Sequence, residues 1–137
     1  MNQKHVPSME LCQQFVDLCS KNNITLPETE FYWVGNELLS SSNEDDALKL
    51  SYVEGLDNVK SKPIPAPLVS ELGEWLPPAI KVKDALAYLK YVPHSDKQTD
   101  VIYSKVGWFH QESDYKEANA RQKMINYLIG NNIISKL

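Results

Sequence analysis

The end of this chain, residues 115–137 (YKEANARQKMINYLIGNNIISKL), constrains its fold most. Ala118, Arg121, Met124, Tyr127 and Leu128 recur at helical spacing, and Ala120 and Ile125 widen the stripe. Asp114 stands where an N-cap is wanted, with Glu117 three residues on, as in a capping box. Glu117 and Arg121 form an i,i+4 pair in the favourable order. Gly130-Asn131-Asn132 tolerates a left-handed stop, after which Ile133 or Ile134 can fold back on the helix. Stripes of this kind face a core, so the expectation is a closing helix that covers a sheet.

A chain of 137 residues can bury a real core, and residues 1–137 are expected to form a single domain with 1–7 as a loose tail. No apolar run approaches the roughly 18 residues of a membrane span. The start, MNQKHVPS, lacks the apolar segment of a signal peptide, so the expected compartment is the cytoplasm. Cys12 and Cys19 are seven apart on one expected helix. That separates them by about 10 Å along its axis, too far to bridge, so both are expected as free thiols. The net charge of −4 is uneven. Residues 1–78 hold five lysines against twelve carboxylates, and residues 79–137 hold nine basic against six acidic groups. The acidic total argues against broad nucleic-acid binding, while the basic second half keeps a local form of it open.

Ser8 can cap a helix over about 9–22, with Leu11, Phe15, Leu18 and Cys19 on its apolar face and Asn22-Asn23 at its end. Residues 30–35 (EFYWVG) are aromatic and β-branched and predict a strand. The polar run SSSNEDD (40–46) predicts a turn or mobile loop, and the alternation at 48–54 a second strand pairing with the first. Residues 55–65 are expected as a loop. Ala66-Pro67 opens a short helix carrying Leu68, Leu72, Trp75 and Leu76, which Pro77-Pro78 stops. Residues 85–92 read as helix or strand, and 101–109 (VIYSKVGWF) as a strand. With 85–92 as a strand, the order is helix, two strands, helix, two strands, helix. That is an α+β fold, a small antiparallel sheet of two hairpins covered by helices.

Three segments, PETEFYWVG (27–35), IPAPLVSELGEWLP (64–77) and EANARQKMINYLIGNNII (117–134), resemble segments of small uncharacterised proteins carried by bacteriophages and mobile elements of gut Bacteroides-type bacteria. The resemblance implies the same α+β order, a strand at 85–92 and a phage-type accessory origin. It implies no activity, cofactor or catalytic residue.

The chemistry-bearing clusters are weak as sequence signals. His110, Glu112 and Asp114 have the right types for a metal, but alternating residues do not converge unless the chain turns. His94, Ser95 and Asp96 are consecutive and cannot form an ordered nucleophile–base–orienter array. No phosphate-binding glycine loop, nucleophile elbow or zinc-protease motif is present. The expectation is therefore no catalytic residue, no metal and no cofactor.

What remains is recognition: a non-enzymatic accessory protein that binds a partner protein, with inhibition of a host process as one outcome. The alternative is a nucleic-acid-binding accessory protein. Tyr88-Leu89-Lys90 and Tyr103-Ser104-Lys105 repeat a Tyr-x-Lys pattern on two expected neighbouring strands. Lysines avoid burial, so Tyr88, Lys90, Tyr103 and Lys105 are expected together on the solvent face, where aromatics interleaved with lysines could hold single strands. Along 85–92, Leu86, Tyr88, Lys90 and Val92 share one face and Ala85, Ala87, Leu89 and Tyr91 the other.

Overall fold

The computed structural model describes residues 3–54 and 62–137. A 3-10 turn, Gln3–His5, leads into α1 (Met9–Lys21). The strands β1 (Phe31–Val34) and β2 (Glu37–Ser40) form a tight hairpin, followed by α2 (Glu44–Glu54). Then come β3 (Ile64–Ala66) and α3 (Val69–Trp75). A meander follows, of β4 (Ala79–Val82), β5 (Ala85–Pro93), β6 (Thr99–Lys105) and β7 (Trp108–Asp114), and α4 (Glu117–Gly130) closes the chain. The class is α+β, with two antiparallel sheets in place of the single expected one, ordered β2-β1-β3 and β4-β5-β6-β7.

Short turns and helix starts account for the differences from the expected order. Gly35 takes a left-handed φ of 59°, so Gly35-Asn36 turns the chain at once and pairs Val34 with Glu37. The strand partner of β1 is thus 37–40, and residues 48–54 are helical. SSSNEDD is that helix's start: Asn43 Oδ1 accepts the Asp46 N–H at 3.1 Å, and Glu44, Asp45 and Asp46 place negative charge at the positive end of the helix dipole. Farther on, Gly107 (φ 79°) bends 101–109 into β6 and β7 around Val106-Gly107. Lys83 and Asp84, both left-handed, join β4 to β5, and 85–92 is a strand. The third helix begins later than expected. Ala66 belongs to β3, and Leu68 is the N-cap, its N–H bound by the Glu71 carboxylate at 2.9 Å. Of the expected loop 55–65, residues 55–61 lie outside the described residues.

The two main helices, α1 and α4, stop in the same way but start differently. Ser8 caps α1, accepting the Leu11 N–H. Asn23 and Asn132 are left-handed after α1 and α4. Behind them the Ile24 N–H reaches the Cys19 carbonyl at 2.8 Å and the Ile133 N–H the Leu128 carbonyl at 2.9 Å. The repeated Asn-Asn-Ile is thus a Schellman stop, and each Ile is turned back toward the core. At the other end of α4 the N-cap is Lys116, not Asp114. Asp114 closes β7 and still serves the helix, because its carboxylate accepts the Lys116 N–H at 2.9 Å and pairs with Lys123 Nζ.

The main core lies between the inner face of the four-stranded sheet and α1, α3 and α4. Phe15, Leu72, Tyr103, Met124 and Leu128 are fully buried in it. A second cluster of Val6, Cys12, Phe31, Trp33 and Ala66 lies between α1 and the three-stranded sheet, so α4 does not contribute to every core. Residues 3–7 are therefore not a loose tail: Val6 and Pro7 are buried, and the Pro7 carbonyl accepts the Trp33 indole N–H at 3.1 Å. An aromatic donor buried this deeply needs such a partner, and this end of the chain supplies it. Among the described residues no helix is long and apolar enough to cross a membrane.

Candidate interaction face

The register of the meander determines which side chains share each face. Leu89 pairs with Tyr103 and Tyr91 with Val101, and these four point with Ala87 and Ile80 into the core. Tyr88 instead pairs with Ser104, and Ser104 with Phe109. The outer face therefore carries Lys81 from β4, Leu86, Tyr88, Lys90 and Val92 from β5, Ile102 and Ser104 from β6, and Phe109 and Gln111 from β7. The alternation expected for 85–92 holds.

The four expected site residues divide between the two faces. Tyr88 (60 % exposed) and Lys90 stand together on the outer face. Tyr103 is fully buried and its hydroxyl donates to the Pro77 carbonyl at 2.6 Å. Lys105 shares the inner parity of Tyr103 and sits at the rim, partly exposed. Lysine marks the solvent side only in mid-strand; at a strand end its stem can run out along the rim to water. The Tyr-x-Lys repeat is thus a coincidence of spacing, and the surface expected from it does not form.

Phe109, 68 % exposed, stands on the outer face and is not among the expected site residues. Read as one strand, 101–109 groups it with Tyr103 and Lys105. The Val106-Gly107 turn reverses that parity and sets Phe109 beside Ser104. The available signal was Gly107 in the middle of an otherwise β-branched and aromatic run.

Tyr88, Ser104 and Phe109 form one row across three strands. Adjacent strands lie about 4.8 Å apart, so the two ring-bearing backbones are roughly 9.5 Å apart with a small hydroxyl side chain between them. On the Phe109 side of this row opens a shallow depression lined by Ile102, Ser104, Lys105, Gly107, Trp108 and Phe109. Leu86, half exposed, and Ile102 extend the apolar surface along the strands. Among the described residues the helices pack on the inner face, and an apolar surface left open in this way is the kind that marks an interaction site.

The charge on this face is one-sided. Lys81 and Lys90 are exposed, and among the described residues the one carboxylate on the face, Asp100, is 6 % exposed and engaged. Its Oδ2 lies 2.5 Å from His94 Nε2, and its Oδ1 accepts the Ser113 hydroxyl at 2.6 Å. The His94 bond, with help from Ser113, holds the Asp100 carboxyl below the usual range, and the same bond raises His94. This His–Asp–Ser chain lacks the order of a hydrolase triad, because the carboxylate and not the imidazole contacts the hydroxyl, so the imidazole is not placed to take its proton.

On the inner face His110 stacks on Tyr127, with ring centroids 3.4 Å apart, and its Nε2 lies 2.5 Å from Glu112 Oε2. Asp114 is held by Lys123 and the start of α4. Each member of this trio is engaged separately, and among the described residues no three His, Cys, Asp or Glu side chains converge as metal ligands. A cleft between the 3-10 turn and α4 is floored by the Asp114, Lys116 and Glu117 segment, whose carboxylates already pair with Lys123 and Arg121. Compared with known protein families, curated proteins and solved structures, the chain matches none.

Proposed function

We propose that this is a non-enzymatic binding protein that acts in the cytoplasm by engaging another protein through the outer face of the four-stranded sheet. The observation that carries this reading is the row Tyr88–Ser104–Phe109, two exposed rings across a small residue on an uncovered sheet face. Aromatic anchors of this kind concentrate binding energy at protein interfaces. A phage or mobile-element accessory role, with inhibition of a host process as its outcome, is part of the same proposal and rests on the resemblance of segments 27–35, 64–77 and 117–134.

Affinity capture from nuclease-treated bacterial lysate tests it, with the parent chain and a Tyr88→Ser, Phe109→Ser variant compared side by side. The parent is expected to retain a protein that the variant, folded by circular dichroism, does not. A protein retained equally by both would exclude this face as the binding site. Tyr103, fully buried, is lost to the nucleic-acid alternative as a stacking contact.

A further inference from the structure

We propose that the slot between Tyr88 and Phe109 receives an extended, acidic protein segment, with one bulky apolar side chain seated over Ser104 and a carboxylate two residues away on each side. The inference rests on the reading of the outer face as an interaction surface, and specifies the chemistry of what binds there. The row Tyr88–Ser104–Phe109 lies between two others, each two residues along the strands. On one side is Lys81–Leu86, on the other Lys90–Ile102–Gln111. Two residues of strand span about 7 Å, so a lysine lies in the row before the slot and another in the row after it. An extended segment laid along the strands has the same repeat, which puts positions i−2 and i+2 level with the rows of the two lysines when residue i fills the slot, Lys90 one strand from β6 and Lys81 two, within reach of its long side chain. The complementary sequence is therefore acid-x-apolar-x-acid.

The charge pattern separates this occupant from its competitors. A second copy of the chain would bring Lys81 and Lys90 against a face whose one carboxylate, Asp100, is already held by His94 and Ser113. A nucleic acid strand would find Lys81 beside aliphatic Leu86, Lys90 beside Ile102 and Lys105 at the rim, on a chain of net charge −4, where binding to phosphates draws on several contacts. An acidic segment with an apolar anchor uses both the rings and the lysines.

The test is selection of a displayed random 12-residue peptide library on the full chain, with selected peptides remeasured by fluorescence anisotropy. Enrichment of aromatic or large aliphatic residues flanked at i−2 and i+2 by Asp or Glu is expected. Tyr88→Ser with Phe109→Ser should weaken these peptides at least about thirtyfold. Lys81→Glu with Lys90→Glu should weaken them about tenfold and lower their sensitivity to salt. Peptides without flanking acids that still need Tyr88 and Phe109 would overturn the acidic segment and keep the docking face. Peptides indifferent to both variants, or no enrichment, would overturn both. Binding of labelled 20-mer oligothymidylate that Lys81→Glu with Lys90→Glu abolishes would overturn the protein partner in favour of nucleic acid.

Discussion

Gly73 lies against the guanidinium of Arg121: a Cβ built on Gly73 would overlap Arg121 Nη1. Arg121 spans from α4 to α3, where Nη1 donates to the Val69 carbonyl at 2.8 Å, while Nη2 pairs with Glu117 at 3.0 Å and the guanidinium lies over the Tyr91 ring. A glycine inside a seven-residue helix is locally unfavourable by about 1 kcal/mol relative to alanine. Here it leaves the space through which an arginine ties two helices and the sheet together.

Gly73→Ala should therefore fail to give the usual helix gain and should destabilise the protein by about 1 kcal/mol, since Arg121 must release its carbonyl to make room. In an Arg121→Ala background the same change should become neutral or stabilising. Urea unfolding of the two single variants and the double variant measures the coupling. A coupling energy near zero would show that the contact carries no energy.

Met124→Ala and Leu128→Ala should each cost about 2–5 kcal/mol, because both side chains are fully buried in the main core. Val6→Ala should cost less, about 1–2 kcal/mol, because it removes fewer methyl groups from the smaller cluster. Urea midpoints test the order. A loss at Val6 as large as that at Leu128 would contradict the division into a main and a lesser core.

The two thiols should be silent in the native protein. Burial pushes Cys12 up to about 12 and Cys19 up to about 11, and both side chains are inaccessible. Ellman's reagent at neutral pH should find almost no fast thiol in the folded chain and two after denaturation without reductant. One or none after denaturation would mean a cross-link that the helix α1 does not permit.

His94 should titrate above the ordinary histidine value of about 6.5, and Asp100→Asn should bring it back down, because the hydrogen bond to Asp100 raises it. Asp100 is correspondingly lowered. The pair therefore contributes stability fully between the unfolded carboxylate and imidazole ranges, about pH 4 to 6.5. That contribution is lost as pH rises through the raised His94 value and as it falls through the lowered Asp100 value. A proton NMR titration of the His94 ring in parent and Asp100→Asn chains checks both signs; identical midpoints would remove the pair.

The parts of this fold legible in the sequence are those specified by neighbours along the chain. The stripe and Asn-Asn-Ile stop of α4, the Ser8 cap of α1 and the alternation of 85–92 depend on spacing alone. The parts that were not legible depend on short turns. Gly35-Asn36 and Val106-Gly107 each reverse the chain in two residues, and missing either one shifts the parity of all that follows. That is why Phe109 reads on the wrong face, and why β1 is expected to pair with 48–54 and not with 37–40. Tyr103 was misplaced for another reason. Nothing local says that its hydroxyl will find the Pro77 carbonyl, 26 residues away, and so allow the ring to be buried.

The most direct test of the outer face as the recognition surface is photo-crosslinking in cells. A photoreactive phenylalanine analogue is placed at Phe109 in one chain and, as a control, at Tyr52, an equally exposed aromatic on α2, in another. A discrete cross-linked protein is expected from position 109, abolished by Tyr88→Ser in the same chain, and none from position 52. Cross-linking of the same protein from position 52 alone, or equally from both positions, would contradict it.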